Sequence, residues 1–112
     1  MSDEPQKLKT RAESIAALEP QVIAEVYLYA SEQGGRRFPV NAGWGCPCMT
    51  SREQPLAGYD GYPQLGDLPL EPGSRRKVGF VFLTDEGAQV MRAAETFYLW
   101  EGGFVGEAKV LR

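Results

Sequence analysis

The chain has 112 residues, of which 43% are apolar and 24% are charged. This composition is typical of a single soluble globular domain, and the length is too short for two. The net charge of -3 excludes a chain-wide attraction to nucleic-acid phosphates or acidic membranes, so any RNA contact would need a local basic patch. The sequence has no apolar run of membrane-spanning length and no apolar signal core at its N-terminus. The 2 cysteines are separated by one residue and make no disulfide framework, so we expect a cytoplasmic protein with no membrane partner.

Residues 1–20 differ from the rest in being rich in Lys, Glu, Gln and Arg. They carry a loose helical pattern in Leu8, Ile15, Ala16 and Leu18. Pro20 ends any helix there, because the residue before a proline avoids the helical region. We expect either a solvated lead-in or a short helix that docks on the domain or on a partner. The folded domain is predicted to span residues 21–112.

From residue 21 onward the apolar pattern has a period of two, which is typical of half-buried strands. One face of the first run carries Val22, Ala24, Val26, Leu28 and Ala30, and the other carries Glu25, Tyr27 and Tyr29. Further alternating runs lie at 46–52, 77–83, 96–101 and 104–111. Turn signals separate them at 33–35, 58–61, 71–73, 85–87 and 101–103. Short strands at this spacing predict an all-β sandwich or barrel.

Two segments depart from the strand pattern. Residues 87–95 place alanines, Val90 and Met91 at positions that predict one short helix. Residues 58–72 contain 3 prolines and little periodicity, which predicts a long surface loop with room for one short strand.

Four motifs occur in order along residues 21–112. They are Gln33-Gly34-Gly35-Arg36-Arg37-Phe38-Pro39-Val40, Gly43-Trp44-Gly45-Cys46-Pro47, Pro72-Gly73, and Phe97-Tyr98-Leu99-Trp100-Glu101-Gly102-Gly103 with Val105-Gly106. In this order they resemble the third domain of translation elongation factor Tu, standing alone. The resemblance implies a six-stranded antiparallel β-barrel. It also implies that the catalytic part of that family, which lies in its first domain, is missing here.

The resemblance further implies an RNA-contacting role. In that family this domain contacts the T-stem backbone of aminoacyl-tRNA through the first turn and the closing hairpin. The matching positions are Arg36, Arg37, Gly102 and Gly103. The chain departs from the family pattern at several polar positions. Gly45, Trp100 and Phe104 stand where the family has arginine, and Pro47 stands where it has glutamine. These departures weaken the prediction that the domain contacts RNA.

Basic residues cluster at two predicted turns. The clusters are Arg36 with Arg37, and Arg75 with Arg76 and Lys77. If the two turns lie close together, these side chains form one positive patch that would bind a phosphate or a carboxylate-rich partner. The alternative is that they solvate the turns and protect strand edges from pairing with other chains.

Aromatic residues near the C-terminus predict a second surface. By alternation, Phe97 and Leu99 share one face of their strand, while Tyr98 and Trp100 share the other. We expect Tyr98 and Trp100 to face outward beside Phe104 as an exposed apolar patch, which is typical of a partner surface. Trp44 is a further candidate for this surface. The alternative is that the N-terminal segment or the long loop covers these rings.

No catalytic or metal constellation is predicted. The chain has 0 histidines, and its carboxylates are scattered among turns, so no general base is expected near neutral pH. Cys46 and Cys48 supply only half of a tetrahedral zinc site, unless a dimer shares the ion. Their one-residue spacing also strains a disulfide, and small residues on a barrel strand are the simpler reading. No Gly-x-x-x-x-Gly-Lys-Ser/Thr loop exists, so neither nucleotide binding nor GTP hydrolysis is expected, and no cofactor is implied.

The sequence therefore predicts a non-enzymatic β-barrel binding module. The first hypothesis is a protein-docking role, translation-associated or otherwise, through Tyr98, Trp100, Phe104 and Trp44. The alternative is a module that contacts tRNA or another structured RNA through Arg36, Arg37, the Gly102-Gly103 hairpin and the basic residues 75–77.

Overall fold

The structure, a computed structural model, describes residues 10–54 and 56–111. Its elements in chain order are α1 (Arg11–Ala16), β1 (Val22–Leu28), a 3-10 turn (Ser31–Gln33), β2 (Cys46–Met49), β3 (Gly58–Pro63), β4 (Arg75–Phe82), α2 (Asp85–Ala93), β5 (Thr96–Trp100) and β6 (Phe104–Val110). The strands close into a barrel in the order β1, β4, β3, β2, β5, β6. Every pairing is antiparallel. The predicted six-stranded antiparallel β-barrel is confirmed.

The core is the inward-facing half of each strand. On β1 the side chains of Val22, Val26 and Leu28 are at most 1% exposed, as the two-residue period predicts. The rings of Phe80 and Phe97 meet edge to face at 5.2 Å near the middle of the barrel, a favoured geometry for buried aromatic pairs. Burial of side chains of this size contributes about 1.5–3 kcal/mol each, so this core stabilises the barrel that carries the outer surface.

β3 is the one short strand for which the sequence pattern left room within residues 58–72. The turn predicted at 58–61 is wrong, because these residues begin a full strand that pairs with β2 and β4. A Cβ on Gly61 would lie 2.6 Å from the Phe82 ring and 2.8 Å from the Cys48 sulfur. Glycine is therefore required there by close packing rather than by a turn. The rest of the predicted loop, up to residue 72, carries only the single β-bridge between Leu70 and Val40.

The N-terminal segment contributes a docked helix. Thr10 and Glu13 form a capping box at the start of α1, which satisfies its first backbone N–H groups. Ile15 is buried, and the side-chain amide of Gln64 donates to the carbonyls of Ile15 (2.9 Å) and Leu18 (2.8 Å). Of the two predicted alternatives for segment 1–20, its described part therefore forms the short helix that docks on the domain. Residues 1–9, including Leu8 of the predicted helical pattern, lie outside the described residues, as does residue 112.

The predicted short helix at 87–95 is present as α2, shifted toward the N-terminus. Thr84 caps it by accepting a hydrogen bond from the backbone N–H of Gly87. Met91 is fully buried on its inner face. The helix begins at Asp85 because the Thr84 cap, not the first apolar residue, sets its start. Within the described residues, no helix is long and apolar enough to cross a membrane.

A β-bulge shapes the hairpin between β5 and β6. Leu99 is opposite Gly106, whereas the next residue, Trp100, is opposite Phe104. Val105 is therefore the additional residue on β6, and its side chain is buried. Bulges of this kind bend a strand and redirect its side chains. Here the bulge brings Phe104 onto the outer side of the hairpin beside Trp100.

Candidate binding surface at the closing hairpin

Three aromatic rings lie together on the outside of the barrel. The strand β5 alternates between half-buried and buried side chains, with Phe97 and Leu99 inside, so the predicted outward orientation of Tyr98 and Trp100 is confirmed. The predicted full exposure of this patch is wrong, because Tyr98, Trp100 and Phe104 are all half-buried. Phe104 joins both of them, with ring centroids 4.9 Å from Trp100 and 6.2 Å from Tyr98, in edge-to-face geometry. We call the surface formed by Tyr98, Trp100 and Phe104 the aromatic face.

The described part of the N-terminal segment does not cover the aromatic face. Instead, α1 packs elsewhere: Arg11 donates to the Gly43 carbonyl at 3.4 Å and lies over the Tyr62 ring, and Gln64 binds its C-terminal carbonyls. The side chain that does lie over the aromatic face is Arg52, whose guanidinium carbon is 5.1 Å from the Phe104 ring centroid and 5.7 Å from that of Tyr98.

Arg52 also joins a polar network at the edge of the aromatic face. Its Nη1 donates to the Tyr29 hydroxyl at 2.9 Å, and that hydroxyl donates to Oε1 of Glu107 at 2.8 Å. Glu107 faces Tyr98 across the β5–β6 ladder, which holds its carboxylate beside the ring. The network therefore ties the connection after β2 to β6 through the single hydroxyl of Tyr29.

The pKa of Tyr29 reflects this setting. Burial, the hydrogen bond to Glu107 and the charge of that carboxylate raise it from 10.0 to about 12, against the opposing effect of Arg52. A raised pKa keeps the phenol protonated at every physiological pH. Tyr29 is therefore a fixed donor to Glu107 and, at the same time, a fixed acceptor for a cation.

Two tyrosines near the end of β1 adjoin the aromatic face, and of these Tyr27 is half-buried whereas Tyr29 is buried. The Tyr27 and Tyr29 rings meet at 5.6 Å, and the guanidinium of Arg75 stacks over Tyr27 at 4.3 Å. The hydroxyl of Tyr27 donates to the side chain of Gln33 at 2.7 Å. Arg75 therefore adjoins the first turn through Tyr27.

The first turn and the hairpin meet in one cleft of about 430 Å³. Its lining residues, which define the tip cleft, are Gly34, Gly35, Arg36, Arg37, Phe38, Glu101, Gly102, Gly103 and Val105. The four residues that the elongation-factor resemblance assigned to RNA contact are thus neighbours. Phe38, which is 68% exposed, lies at the rim as an unprotected apolar side chain.

Arg36 is paired within the tip cleft. Its Nη1 lies 2.7 and 2.8 Å from the two carboxylate oxygens of Glu101, and its Nε donates to the Phe38 carbonyl at 3.2 Å. The indole N–H of Trp44 donates to the same carboxylate at 3.0 Å, and the guanidinium lies 5.7 Å from the Trp44 ring. The Glu101 carboxylate therefore neutralises Arg36 and fixes Trp44. Arg37 is exposed and makes no ion pair within the described residues.

The second basic cluster does not act as one unit with the first. Arg76 donates to the carbonyls of Leu68 and Pro69, both at 2.8 Å, and to that of Leu65 at 3.3 Å. Its charge therefore holds the segment between β3 and β4 in place. Lys77 is exposed and lies opposite Glu25 in the β1–β4 register. Only Arg75 extends toward the first turn.

The cysteines occupy the core of β2. Cys46 and Cys48 are reduced and buried, and the neighbouring Cys46 side chain, together with burial, raises the pKa of the Cys48 thiol well above its usual value. Buried thiols of this kind are weak nucleophiles. Across residues 10–54 and 56–111, no group of three metal-ligating side chains is found.

Several residues of this surface carry little signal in the sequence. Glu101 and Arg36 are 65 positions apart, so only the closed barrel brings them together. Arg52 was predicted to end a strand at 46–52, but the strand ends at Met49, and Arg52 turns back over the aromatic face. The two-residue period of β1 places Tyr29 on the outer face, but its side chain is buried there. Its contact with Glu107 depends on the β5–β6 register, which the bulge sets.

Comparison with known proteins adds no relative: a scan against protein-family models and a search of curated proteins both return no match.

Proposed function

We propose that this protein is a non-catalytic binding module that docks a protein partner through the aromatic face. The observation that carries the proposal is the edge-to-face cluster of Tyr98, Trp100 and Phe104 on the outside of the barrel. Arg52 lies over part of this cluster, but the described N-terminal helix does not cover it. Tyrosine and tryptophan dominate the energetic centres of protein interfaces. Tyr98 and Trp100 lie on the face of β5 opposite the buried Phe97 and Leu99.

Electrostatics favour a protein partner over RNA. The Glu101 carboxylate that neutralises Arg36 also lines the tip cleft, where an RNA phosphate would meet a negative charge. The net charge of -3 adds long-range repulsion to this local cost. The motif resemblance to the third domain of elongation factor Tu supports a binding role as well, and it makes components of the translation machinery the first partners to test.

A second candidate function is contact with tRNA or another structured RNA. The observation that favours it is the tip cleft itself, which brings Arg36 and Arg37 next to the Gly102-Gly103 hairpin. Arg37 would be the main phosphate ligand, because its charge is uncompensated within the described residues. Binding of this kind weakens steeply with added salt, because it depends on counterion release.

Affinity capture from an extract, quantified by mass spectrometry, tests the proposal. Wild type is compared with Trp100→Ala and with Leu83→Ala, a matched control that truncates a side chain 68% exposed elsewhere on the surface. We expect a defined set of proteins that Leu83→Ala retains, that Trp100→Ala loses, and that survives nuclease and 500 mM salt, about the range where phosphate contacts fail. Identical capture by both variants contradicts the aromatic-face proposal.

The RNA alternative is tested by fluorescence anisotropy with labelled aminoacyl-tRNA. Arg37→Glu reverses the uncompensated charge of the tip cleft, and Lys109→Glu is the control, since Lys109 is exposed on β6 outside that cleft. Binding that Arg37→Glu abolishes and Lys109→Glu preserves would establish the alternative. Flat curves at low salt would exclude it.

A further inference from the structure

The guanidinium of Arg52 lies among three aromatic rings. Its central carbon is 5.1 Å from the ring centroid of Phe104, 5.6 Å from that of Tyr29 and 5.7 Å from that of Tyr98. All three distances are within the range of cation–π attraction. Rings that surround a cation on several sides are the arrangement by which proteins bind organic cations.

Hydrogen bonding makes this arrangement suited to a guanidinium in particular. Arg52 donates to the Tyr29 hydroxyl at 2.9 Å, and Glu107 accepts from that hydroxyl at 2.8 Å. The carboxylate thereby places negative charge one hydrogen bond away from the cation. A planar guanidinium can stack on rings and donate in its plane at once, whereas a quaternary ammonium has no N–H to donate.

The rings are fixed more firmly than the cation. Tyr98 is on β5, Phe104 and Glu107 are on β6, and Tyr29 directly follows β1, where its backbone N–H donates to the Val105 carbonyl. Arg52 is exposed and lies in the connection between β2 and β3, outside the strand ladder. Exchange of its side chain for another would therefore leave the barrel intact.

We propose that Tyr29, Tyr98, Phe104 and Glu107 form a guanidinium-binding cage that Arg52 occupies in the free protein and that receives an arginine side chain of a docked protein partner. The inference rests on the proposed function, because Tyr98 and Phe104 belong to the aromatic face. A basic partner also complements the net charge of -3. A neighbouring cleft of about 230 Å³, lined in part by Tyr29, Arg52 and Glu107, gives the incoming side chain a path.

Arg52 acts in this scheme as an internal competitor. A ligand that binds only when the cage is vacant has an apparent affinity reduced by the vacant fraction. Removal of the Arg52 side chain is therefore expected to tighten guanidinium binding by about fivefold or more, the factor that corresponds to one partly exposed cation–π contact.

The test is an NMR titration with N-acetyl-arginine amide, and N-acetyl-lysine amide as the comparison ligand. In Arg52→Ala we expect saturable shifts at Tyr29, Tyr98 and Phe104 with the arginine ligand, at about fivefold or more lower concentration than in wild type. The lysine ligand is expected to bind more weakly because it cannot stack in a plane. Adding Glu107→Gln to Arg52→Ala should weaken binding, since the amide keeps the shape but loses the charge.

Arg75→Ala is the matched control, because Arg75 also lies over a tyrosine ring, at 4.3 Å from Tyr27, outside the cage. It is expected to leave arginine binding at the cage as weak as in wild type. The inference is overturned if Arg52→Ala shows no ligand-dependent shifts at the three rings, or if arginine and lysine ligands act alike. If Arg52→Ala does not fold, wild type gives the same answer: excess arginine ligand must shift the Arg52 Nε–H resonance, and no shift overturns the inference.

This experiment needs no partner, so it separates the two proposals. If the arginine ligand binds the cage but no protein is captured, the cage is supported and the docking role is contradicted. If protein capture depends on Trp100 but no arginine ligand binds the cage, the docking role is supported and the cage is contradicted.

Discussion

The pairing of Arg36 with Glu101 gives the sharpest stability prediction, because it also decides how the tip cleft is charged. Glu101→Gln removes the negative charge but retains an oxygen that can accept the Trp44 N–H. Arg36→Gln removes the positive charge in the same way. A double-mutant cycle over these two substitutions isolates the ion pair from the other contacts of each side chain.

The magnitude follows from the exposure of the two partners. The Arg36 side chain is 22% exposed and that of Glu101 is 42% exposed, at 2.7 Å. Solvent therefore screens the pair, and we expect a coupling free energy of about 0.5–1 kcal/mol at low salt, at the upper end for surface pairs. In 1 M NaCl, where the screening length falls to about 3 Å, the coupling should drop by roughly half or more.

Urea denaturation followed by tryptophan fluorescence measures the free energy of unfolding of all four proteins. Glu95→Gln is the matched control, because Glu95 is exposed between α2 and β5 and should change stability by less than about 0.5 kcal/mol. A coupling indistinguishable from zero at low salt, or one that does not respond to salt, would show that the ion pair does not stabilise the fold. Glu101→Gln should in addition raise any tRNA affinity of the tip cleft, since it leaves Arg36 uncompensated.

Three further predictions concern the barrel. Tyr29 has a pKa raised from 10.0 to about 12, so between these pH values the native state keeps a proton that the unfolded state releases. As the pH rises through this range, the free energy of unfolding of wild type should therefore fall by about 1–2 kcal/mol more than that of Tyr29→Phe. Gly61→Ala should lower the free energy of unfolding by about 1–3 kcal/mol in thermal or urea unfolding, because its Cβ would lie 2.6 Å from the Phe82 ring. Arg76→Gln should cost about 1–2 kcal/mol, because it loses its carbonyl hydrogen bonds to the segment before β4.

Each of these predictions has its own control. Tyr29→Phe is the control for the pKa prediction. If the free energies of unfolding of wild type and Tyr29→Phe change in parallel from pH 10 to 12, the range set by the raised pKa of Tyr29, that prediction is wrong. Gly103→Ala serves for the second, since a Cβ there meets nothing within 4 Å, and equal losses at both glycines would contradict it. Lys77→Gln is the control for Arg76→Gln, because Lys77 is an exposed neighbour on β4. If Arg76→Gln lowers the free energy of unfolding no more than Lys77→Gln does, the predicted role of the Arg76 hydrogen bonds is wrong.

The strands that the sequence predicted correctly are those with an uninterrupted two-residue period. Val22, Val26 and Leu28 mark β1 because one face of that strand is wholly buried. β3 was predicted only as room for one short strand within a long loop, because Gly61 is there for close packing, and a strand glycine has the same sequence signature as a turn. A single glycine therefore cannot distinguish a turn from a strand position at which the fold allows no Cβ.

The binding surface was predictable only in part, for the same physical reason. Outward Tyr98 and Trp100 follow from local alternation on β5, which requires no knowledge of the rest of the chain. The positions of Arg52 over the rings and of Glu101 beside Arg36 depend on long-range closure and on the conformation of a connection. These contacts decide which charges are neutralised, so the choice between a protein and an RNA partner needs the three-dimensional arrangement.

Site-specific photo-crosslinking identifies directly which molecules contact the aromatic face. A photoreactive phenylalanine analogue is placed at Trp100 in one protein and at Leu83, the exposed control position, in another, and both are irradiated in cells that express them. We expect discrete, saturable crosslinks to protein from position 100, resistant to nuclease, and none from position 83. Crosslinks to RNA from position 100, or the same protein pattern from both positions, would contradict the docking proposal.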